Sequence, residues 1–452
     1  MTFTPVSGYI GNATCTYQVC DSNLNTPQCD TADLTVTVNN VCNASATPIT
    51  FNFVAPSGGE QSYTPTDSTV TGIIVKAWGA GGSGGGTGTD GAGGGGGFTS
   101  AYLPVTGSSN FNVVVGQAGI QGASTNYGGG GFGGAGPSAS FDGGNGGGLS
   151  GLLPSGMSFS TATQANFLLI AGAGGGNNGG GDDGGNGGGG GYRGGHAVKT
   201  GGSGKEDNQG LGGTQSAGGR GGYSTVAAYR GSAGTALSGG DGGNGAGNAG
   251  GGGGGGYFGG GGGSETLLNV EGAGGGGSSY VQNTLSGQKF LSGGVGTAAN
   301  TSDSDYNGTA GVGGTTLGNG TDGLVVITEV CSGFDNPPVA GFDYSAGELN
   351  EIVTTNVLTN DIDPDGDLNA SSLSIVTDAD NLNEGTCTLG GSGEIVFTPV
   401  SNFQGYATCT YEVCDASGTR CDEADLEVAV VPPACEIIVP FDNAADNRLG
   451  WQ

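Results

Sequence analysis

Four aspartates at alternate positions, Asp361, Asp363, Asp365 and Asp367, carry the clearest chemistry in this 452-residue sequence. In the run Asp-Ile-Asp-Pro-Asp-Gly-Asp, alternate carboxylates are presented around one tight loop, with Gly366 permitting the turn. Hard cations favour such an oxygen cage, and Ca2+ is the expected ion. The loop lacks a closing Glu: Ser372 stands where a twelve-residue calcium loop carries one. An acidic turn with solvated charges is the other reading of the same spacing, and both stand at this point.

Other arrangements point away from catalysis. His196, the sole histidine, lies in Gly-Tyr-Arg-Gly-Gly-His with no triad partner nearby. The adjacent Asp182 and Asp183 read as a turn, not as a hydrolytic pair. Phosphate-loop patterns occur throughout a chain with 109 glycines, but none sits between a strand and a helix, and Lys205 is followed by Glu206. The chain is therefore expected not to be an enzyme. Asn-X-Ser/Thr sequons at Asn12, Asn43, Asn300, Asn307, Asn319 and Asn369 are candidate glycosylation sites.

The charge balance narrows the partners. Nine basic residues face 39 acidic ones, for a net charge of -30. Such a surface repels nucleic acid and anionic lipid, and divalent cations suit it better. No apolar run approaches the ~20 residues of a membrane span. No basic stretch followed by an apolar one appears after Met1, so a signal peptide is not visible and the chain reads as processed or as part of something longer. Ten cysteines without zinc-like clusters point to disulfides and an extracellular location.

The elements that position these residues are announced by an internal repeat. Residues 3–21, FTPVSGYIGNATCTYQVCD, align without gaps to residues 397–415, FTPVSNFQGYATCTYEVCD. CDTADLTVTV at 29–38 then matches CDEADLEVAV at 421–430. Alternating apolar positions on either side of a turn make each copy a β-hairpin. Cys20 faces Cys29 across one turn and Cys414 faces Cys421 across the other, so each pair can close a short loop. Further strands are expected at 352–358, 373–376, 386–389 and 394–398, enough for a sandwich of roughly a hundred residues. Cys387 and Cys409 are expected to join neighbouring strands within it.

Residues 336–431, with NPPVAGFDYSAGE, NVLTNDIDPDGDL and FTPVSNFQGYATCTYEVCD, resemble the cadherin-like or immunoglobulin-like tandem repeats of large bacterial surface proteins. The resemblance implies an extracellular spacer or adhesive module, a calcium role for the acidic loop, and a contribution to it from Asp343 on the first strand. The first copy corresponds only to the later part of such a module. Its complement is expected upstream in a longer polypeptide or, less simply, from a neighbouring subunit, and Cys15 is expected to pair with that complement.

Residues 44–330 hold most of the glycine, in runs such as 93–97, 128–131, 187–191, 251–256 and 274–277. Composition alone would suit a flexible linker. Strand-like blocks at 49–56, 71–80, 110–119, 165–174 and 322–330 argue for a folded domain instead. Aromatic residues beside the runs argue the same way, and Cys42 and Cys331 flank the region as a clasp. VKAWGAGGSGGG, GGGGGFTSAYLPV, NVVVGQAG, LLIAGAGGG and GGGGGSSYV resemble the glycine-rich domain of some animal receptor tyrosine kinases and of certain phage tail-fibre tips. That resemblance implies a β frame carrying packed polyglycine II helices.

The expected architecture is all-β: immunoglobulin-like β-sandwich modules flanking a glycine-rich β/polyglycine II domain. Its parts are a C-terminal half module at 1–43, the glycine-rich domain at 44–331, a complete module at 332–431 and, at 432–452, either the start of a further domain or a linking tail, with Cys435 within it. The expected role is a repetitive, disulfide-stabilised surface fibre whose partners are copies of itself or adjacent repeats. The alternative is an adhesin presenting loops such as 199–209 or 302–307 to a surface glycan or protein. Nucleic-acid binding and membrane insertion are not expected.

Overall fold

The computed structural model describes residues 3–4, 11–21, 28–38, 48–55, 60–66, 69–86, 91–106, 108–124, 126–180, 185–199, 206–265, 271–331, 336–380 and 382–432. Asn43, Cys42, Cys435, Asp182, Asp183 and Lys205 lie outside them. The fold is all-β, and among the described residues only single 3-10 turns stand between the strands. Among the described residues no helix is long and apolar enough to cross a membrane.

Strands β1 (Gly11–Cys20) and β2 (Cys29–Val38) pair antiparallel as a two-stranded sheet. Cys20 lies opposite Cys29 and the two are disulfide-bonded.

Among the described residues the glycine-rich region is framed by twelve strands. They are β3 (Ile49–Asn52), β4 (Glu60–Tyr63), β5 (Val70–Trp78), β6 (Phe98–Pro104), β7 (Phe111–Val114) and β8 (Ser150–Pro154). There follow β9 (Leu169–Ala171), β10 (Gly185–Asn186), β11 (Val198–Lys199), β12 (Tyr280–Val281), β13 (Ser286–Leu291) and β14 (Leu324–Cys331). Ten of them form two five-stranded sheets, in the orders β12-β9-β8-β7-β4 and β13-β6-β5-β14-β3, and β10 and β11 pair with each other. Val113, Leu152 and Leu169 of the first pack against Ile73, Val75, Val325 and Ile327 of the second in one core. β-branched residues dominate because period-two burial on a pleated surface suits them.

Glycine runs leave the ends of these strands and build a second layer of order. Where side chains cease, the backbone changes from a two-residue to a three-residue repeat. Gly93 and Gly96 donate to Gly314 and Gly311, Gly94 and Gly97 to Gly175 and Gly172, and Gly95 to Gly294. Gly251 and Gly254 donate to Gly272 and Gly275, Gly252 and Gly255 to Gly144 and Gly147, and Gly253 to Gly240. Each run thus addresses three neighbours in turn, the pattern of threefold helices without internal hydrogen bonds, as in polyglycine II. The first set of pairings runs antiparallel and the second parallel. A Cβ at almost any of these positions would overlap a neighbouring carbonyl oxygen, so the close approach itself requires glycine.

Residues 336–432 form a sandwich of β15 (Asp343–Glu348), β16 (Val353–Asn356), β17 (Leu368–Thr377), β18 (Gly385–Leu389), β19 (Glu394–Pro399), β20 (Gly405–Asp415) and β21 (Cys421–Val431). One sheet has the order β15-β21-β20-β17, the other β16-β19-β18. β15 runs parallel to β21, and the other pairs are antiparallel. Ile395, Phe397, Tyr411, Leu426 and Val428 fill the space between the sheets. Cys414–Cys421 closes the β20–β21 end. The Cys387–Cys409 disulfide does not join neighbouring strands as the sequence led us to expect. It staples β18 to β20, one strand from each sheet, because period-two burial turns both cysteines into the shared core.

Candidate functional site

The acidic loop lies between β16 and β17 and is held from both sides. Ile362 exchanges two backbone hydrogen bonds with Val339, at 2.7 and 3.1 Å. The Gly366 N–H donates to the Asp363 carbonyl at 3.0 Å, with Gly366 at φ +79°, a left-handed turn that glycine adopts without strain. The backbone N–H of Asp365 donates to Asp363 Oδ1 at 2.8 Å. Asn336 holds the Asp365 carboxylate through its backbone N–H and, at 3.0 Å, through Nδ2.

Three of the four aspartates converge. Asp363, Asp365 and Asp367 each bring a carboxylate oxygen to within 4.8 Å of the others. Asp363 is 8% exposed, and its Oδ2 and the Oδ1 of Asp367 are buried with no hydrogen-bond partner. Burial, more than the neighbouring Asp367 and Asp365 charges, pushes the Asp363 carboxyl above its ordinary value. Buried carboxylate oxygens are costly without a partner, and a hard divalent cation satisfies several at once. The residues present therefore fit Ca2+. Ser372 takes no part, since its hydroxyl donates to the Asn369 carbonyl and accepts from the Cys414 N–H, both at 2.7 Å, tying β17 to β20.

Asp361 faces elsewhere. Its Oδ1 accepts from the Gly341 N–H at 2.6 Å and lies 3.0 Å from the Tyr411 hydroxyl. That hydroxyl is also 3.0 Å from Asp343 Oδ2, 2.7 Å from the Gly341 carbonyl and 3.2 Å from that of Val357. Asp343 and Asp361 therefore share the buried Tyr411 instead of joining the trio. Burial, ahead of the charge of Asp361, raises the Asp343 carboxyl to about 8, and burial raises Asp361 to about 7. Tyr411 is pushed upward by burial and by both carboxylates. The spacing of the aspartates gives no hint of this cluster, because Tyr411 enters from β20.

Basic residues mark a second region. Lys289 on β13 pairs with Asp422 on β21 at 3.3 Å, and Asp422 also accepts from the Ala340 N–H at 2.9 Å. Beside it Tyr192, Phe290 and Phe342 form a ring cluster with centroids 5.1–5.7 Å apart. Arg193 donates to the Tyr406 hydroxyl at 2.6 Å. These contacts fasten the glycine-rich domain to the sandwich. A cleft of about 550 Å3 opens at the junction, lined among others by Lys76, Lys289, Asp303, Asp305 and Asp422. Lys76 bridges Asp303 and Asp305 at 2.9 and 2.8 Å. The signal that could have found these pairs is the scarcity of cations, nine against 39 acids.

The remaining site residues are dispersed. Asn12 accepts from Thr37 across the β1–β2 hairpin at 2.8 Å, and Asn300 donates to Asp303 at 3.1 Å. Asn307 caps the N–H groups of Thr309 and Ala310, Asn319 is exposed, and Asn369 accepts from the Ser371 N–H. His196 accepts from the Gly212 N–H at 2.9 Å through Nδ1. Cys331 is disulfide-bonded, with its expected partner Cys42 outside the described residues.

No curated protein matches this chain. One segment has a recognisable relative: residues 335–429, the sandwich with the acidic loop and two of the disulfides, match the family model of the bacterial Ig domain.

Proposed function

We propose that this chain is a non-catalytic extracellular structural protein, a length of repetitive surface fibre in which disulfide-stapled Ig-type modules alternate with a glycine-rich slab. The observation that carries the reading is the repeat on either side of the slab. β1–β2 and β20–β21 share sequence and register: Tyr17 faces Ala32 as Tyr411 faces Ala424, and Cys15 faces Leu34 as Cys409 faces Leu426. Hydrogen-bonded glycine helices and cross-strand disulfides suit a load-bearing, unreactive element. Disulfides and a bacterial Ig-type module fit an extracellular or cell-surface location. Asp363, Asp365 and Asp367 would hold Ca2+, which supplies charge neutralisation and stiffens the loop between β16 and β17. Electron microscopy of the native material tests the proposal. Regular filaments with this unit recurring along the axis are the expected result, and a single glycine-rich knob at the tip of a stalk would overturn it.

The adhesin reading is favoured by one observation. The segment 302–307 supplies Asp303 and Asp305 to the junction cleft, whose paired charges stand beside the apolar lining residues Ile74, Phe98 and Val339, a mix that suits a polyhydroxylated ligand. Binding to a panel of glycans, lost on Asp305→Ala, would carry that reading.

A further inference from the structure

One lysine of the glycine-rich domain meets more than an ion pair requires. Lys76 lies on β5, the central strand of its sheet, and its Nζ reaches two carboxylates at once, Asp303 Oδ1 at 2.9 Å and Asp305 Oδ2 at 2.8 Å. Both aspartates are largely enclosed, with side chains 11% and 16% exposed. Their turn is anchored over the sheet by the Trp78 indole N–H, which donates to the Ala299 carbonyl at 3.0 Å, and by Tyr306, whose ring lies 5.8 Å from that of Trp78. Asp303 is held at both carboxylate oxygens. Asn300 Nδ2 donates to its Oδ2 at 3.1 Å, and the Asp305 N–H donates to its Oδ1 at 2.9 Å. An amine, a carboxyl whose charge is drawn off by two N–H donors, and a second carboxylate on the same nitrogen are thus assembled. Lys289, by contrast, pairs with the single carboxylate of Asp422 at 3.3 Å.

We infer that Lys76 and Asp303 become joined by an amide bond, with Asp305 carrying the proton. The resting groups are ions: burial, the largest influence, lowers the Lys76 ammonium, but Asp303 and Asp305 outweigh it and hold the group above its ordinary value. The reaction therefore begins with Lys76 passing one proton to Asp305 Oδ2. The freed lone pair adds to Cγ of Asp303, and Asn300 Nδ2 holds the charge that develops on Oδ2. Oδ1 leaves as water, with the proton from Asp305 and a second one from the nitrogen. Ammonium and carboxylate enter, one amide and one water result, and Asp305 ends as the carboxylate it was. In free solution the surrounding water disfavours this condensation, but two well-oriented groups fixed in contact react at an effective concentration of about 10⁵ M or more. The chain is its own substrate and reacts once. The bond joins residues 227 apart, and every glycine run named above lies between them. Tension along the chain then passes around the hydrogen-bonded glycine runs instead of through them. The inference goes beyond the fibre reading and does not depend on it.

The test weighs the full chain by mass spectrometry after it has folded and then been reduced and denatured. The expected mass is that of the 452-residue sequence less one water. Digestion should release a branched peptide in which Lys76 is amide-linked to Asp303, located by fragmentation. An unmodified mass overturns the inference. So does a lost water that maps to a ring-closed aspartate at an Asp-Gly step such as Asp365-Gly366, or a branch at any other pair of residues. Lys76→Arg and Asp303→Ala should each restore the full mass. Asp305→Asn keeps the shape of the side chain but cannot take the proton, so the branched peptide should accumulate at least about tenfold more slowly. Hydrogen exchange in 70–78 and 324–331 equal to that of the parent establishes that this variant folds. Cross-linking at the parent's rate in the folded Asp305→Asn chain overturns the inference as well.

Discussion

At the scale of single residues, the absence of a side chain at glycine is what lets the slab pack. Gly254 donates to Gly275, and a Cβ at its position would overlap the Ala173 carbonyl oxygen. Gly254→Val should therefore cost about 3 kcal/mol or more in denaturant unfolding, because the neighbouring backbone cannot yield without breaking its own bonds. Gly122 has φ +72° and open space around its missing Cβ, so Gly122→Ala should cost only about 1–2 kcal/mol of backbone strain. Equal effects at the two positions would contradict a packed array. The acidic trio makes the second residue-scale prediction. Ca2+ should raise the thermal midpoint of the sandwich, a chelator should reverse it, and Asp363→Asn/Asp367→Asn should abolish the response, read by calorimetry. The D-X-D-X-D-G spacing made this loop visible in the sequence. Spacing could not separate Asp361 from the trio, since what turns it away is a hydroxyl from a strand some fifty residues later.

At the scale of elements, the strands were legible and their assembly was not. Alternation marked the β18 and β19 segments to within a residue, and the alternating runs 408–413 and 425–430 fall inside the longer β20 and β21, because one face of each is buried and period two is its direct imprint. The same alternation is silent on which sheet a strand joins, which is why Cys387–Cys409 was misplaced between neighbours. Within the slab the difficulty is deeper: glycine runs carry no side-chain pattern, so the choice of Gly175, Gly294 and Gly314 as partners of one run has no trace in the sequence. The junction between slab and sandwich likewise depends on elements far apart in the chain. Asp422 there accepts from Lys289 and from the Ala340 N–H. Asp422→Ala should cost about 2 kcal/mol, as expected for a charged acceptor removed from two donors. Hydrogen exchange should quicken in 286–291 and 336–342 while 49–52 and 60–63 keep their protection. Uniform quickening would mean that the pair supports global folding and not the junction.

At the scale of the whole molecule, a net charge of -30 combines with carboxyl groups taken out of water. Burial is the leading cause that raises Asp343 to about 8, and it also raises Asp322, Asp425 and Glu427. Each of these groups holds its proton in the fold to a higher pH than in the unfolded chain, where it ionises near pH 4. The folded state then binds more protons, so stability is full in acid and is lost as pH rises through the folded values. Mutual repulsion of the acidic surface runs in the same direction and is screened by salt. With a chelator present, the thermal midpoint should fall between about pH 5 and about pH 9. Added salt should raise it more at the alkaline end, where more carboxylates are charged. Asp343→Asn should flatten part of the pH dependence of the sandwich without altering the salt response of the slab. A midpoint that climbs with pH would require the acidic groups to gain partners on folding, contrary to the burial found here. The trend bears on the proposed function as well: if the chain is a fibre subunit, one weakened by its own charge in dilute alkaline solution would be stabilised when salt, divalent cations or packed neighbours neutralise it.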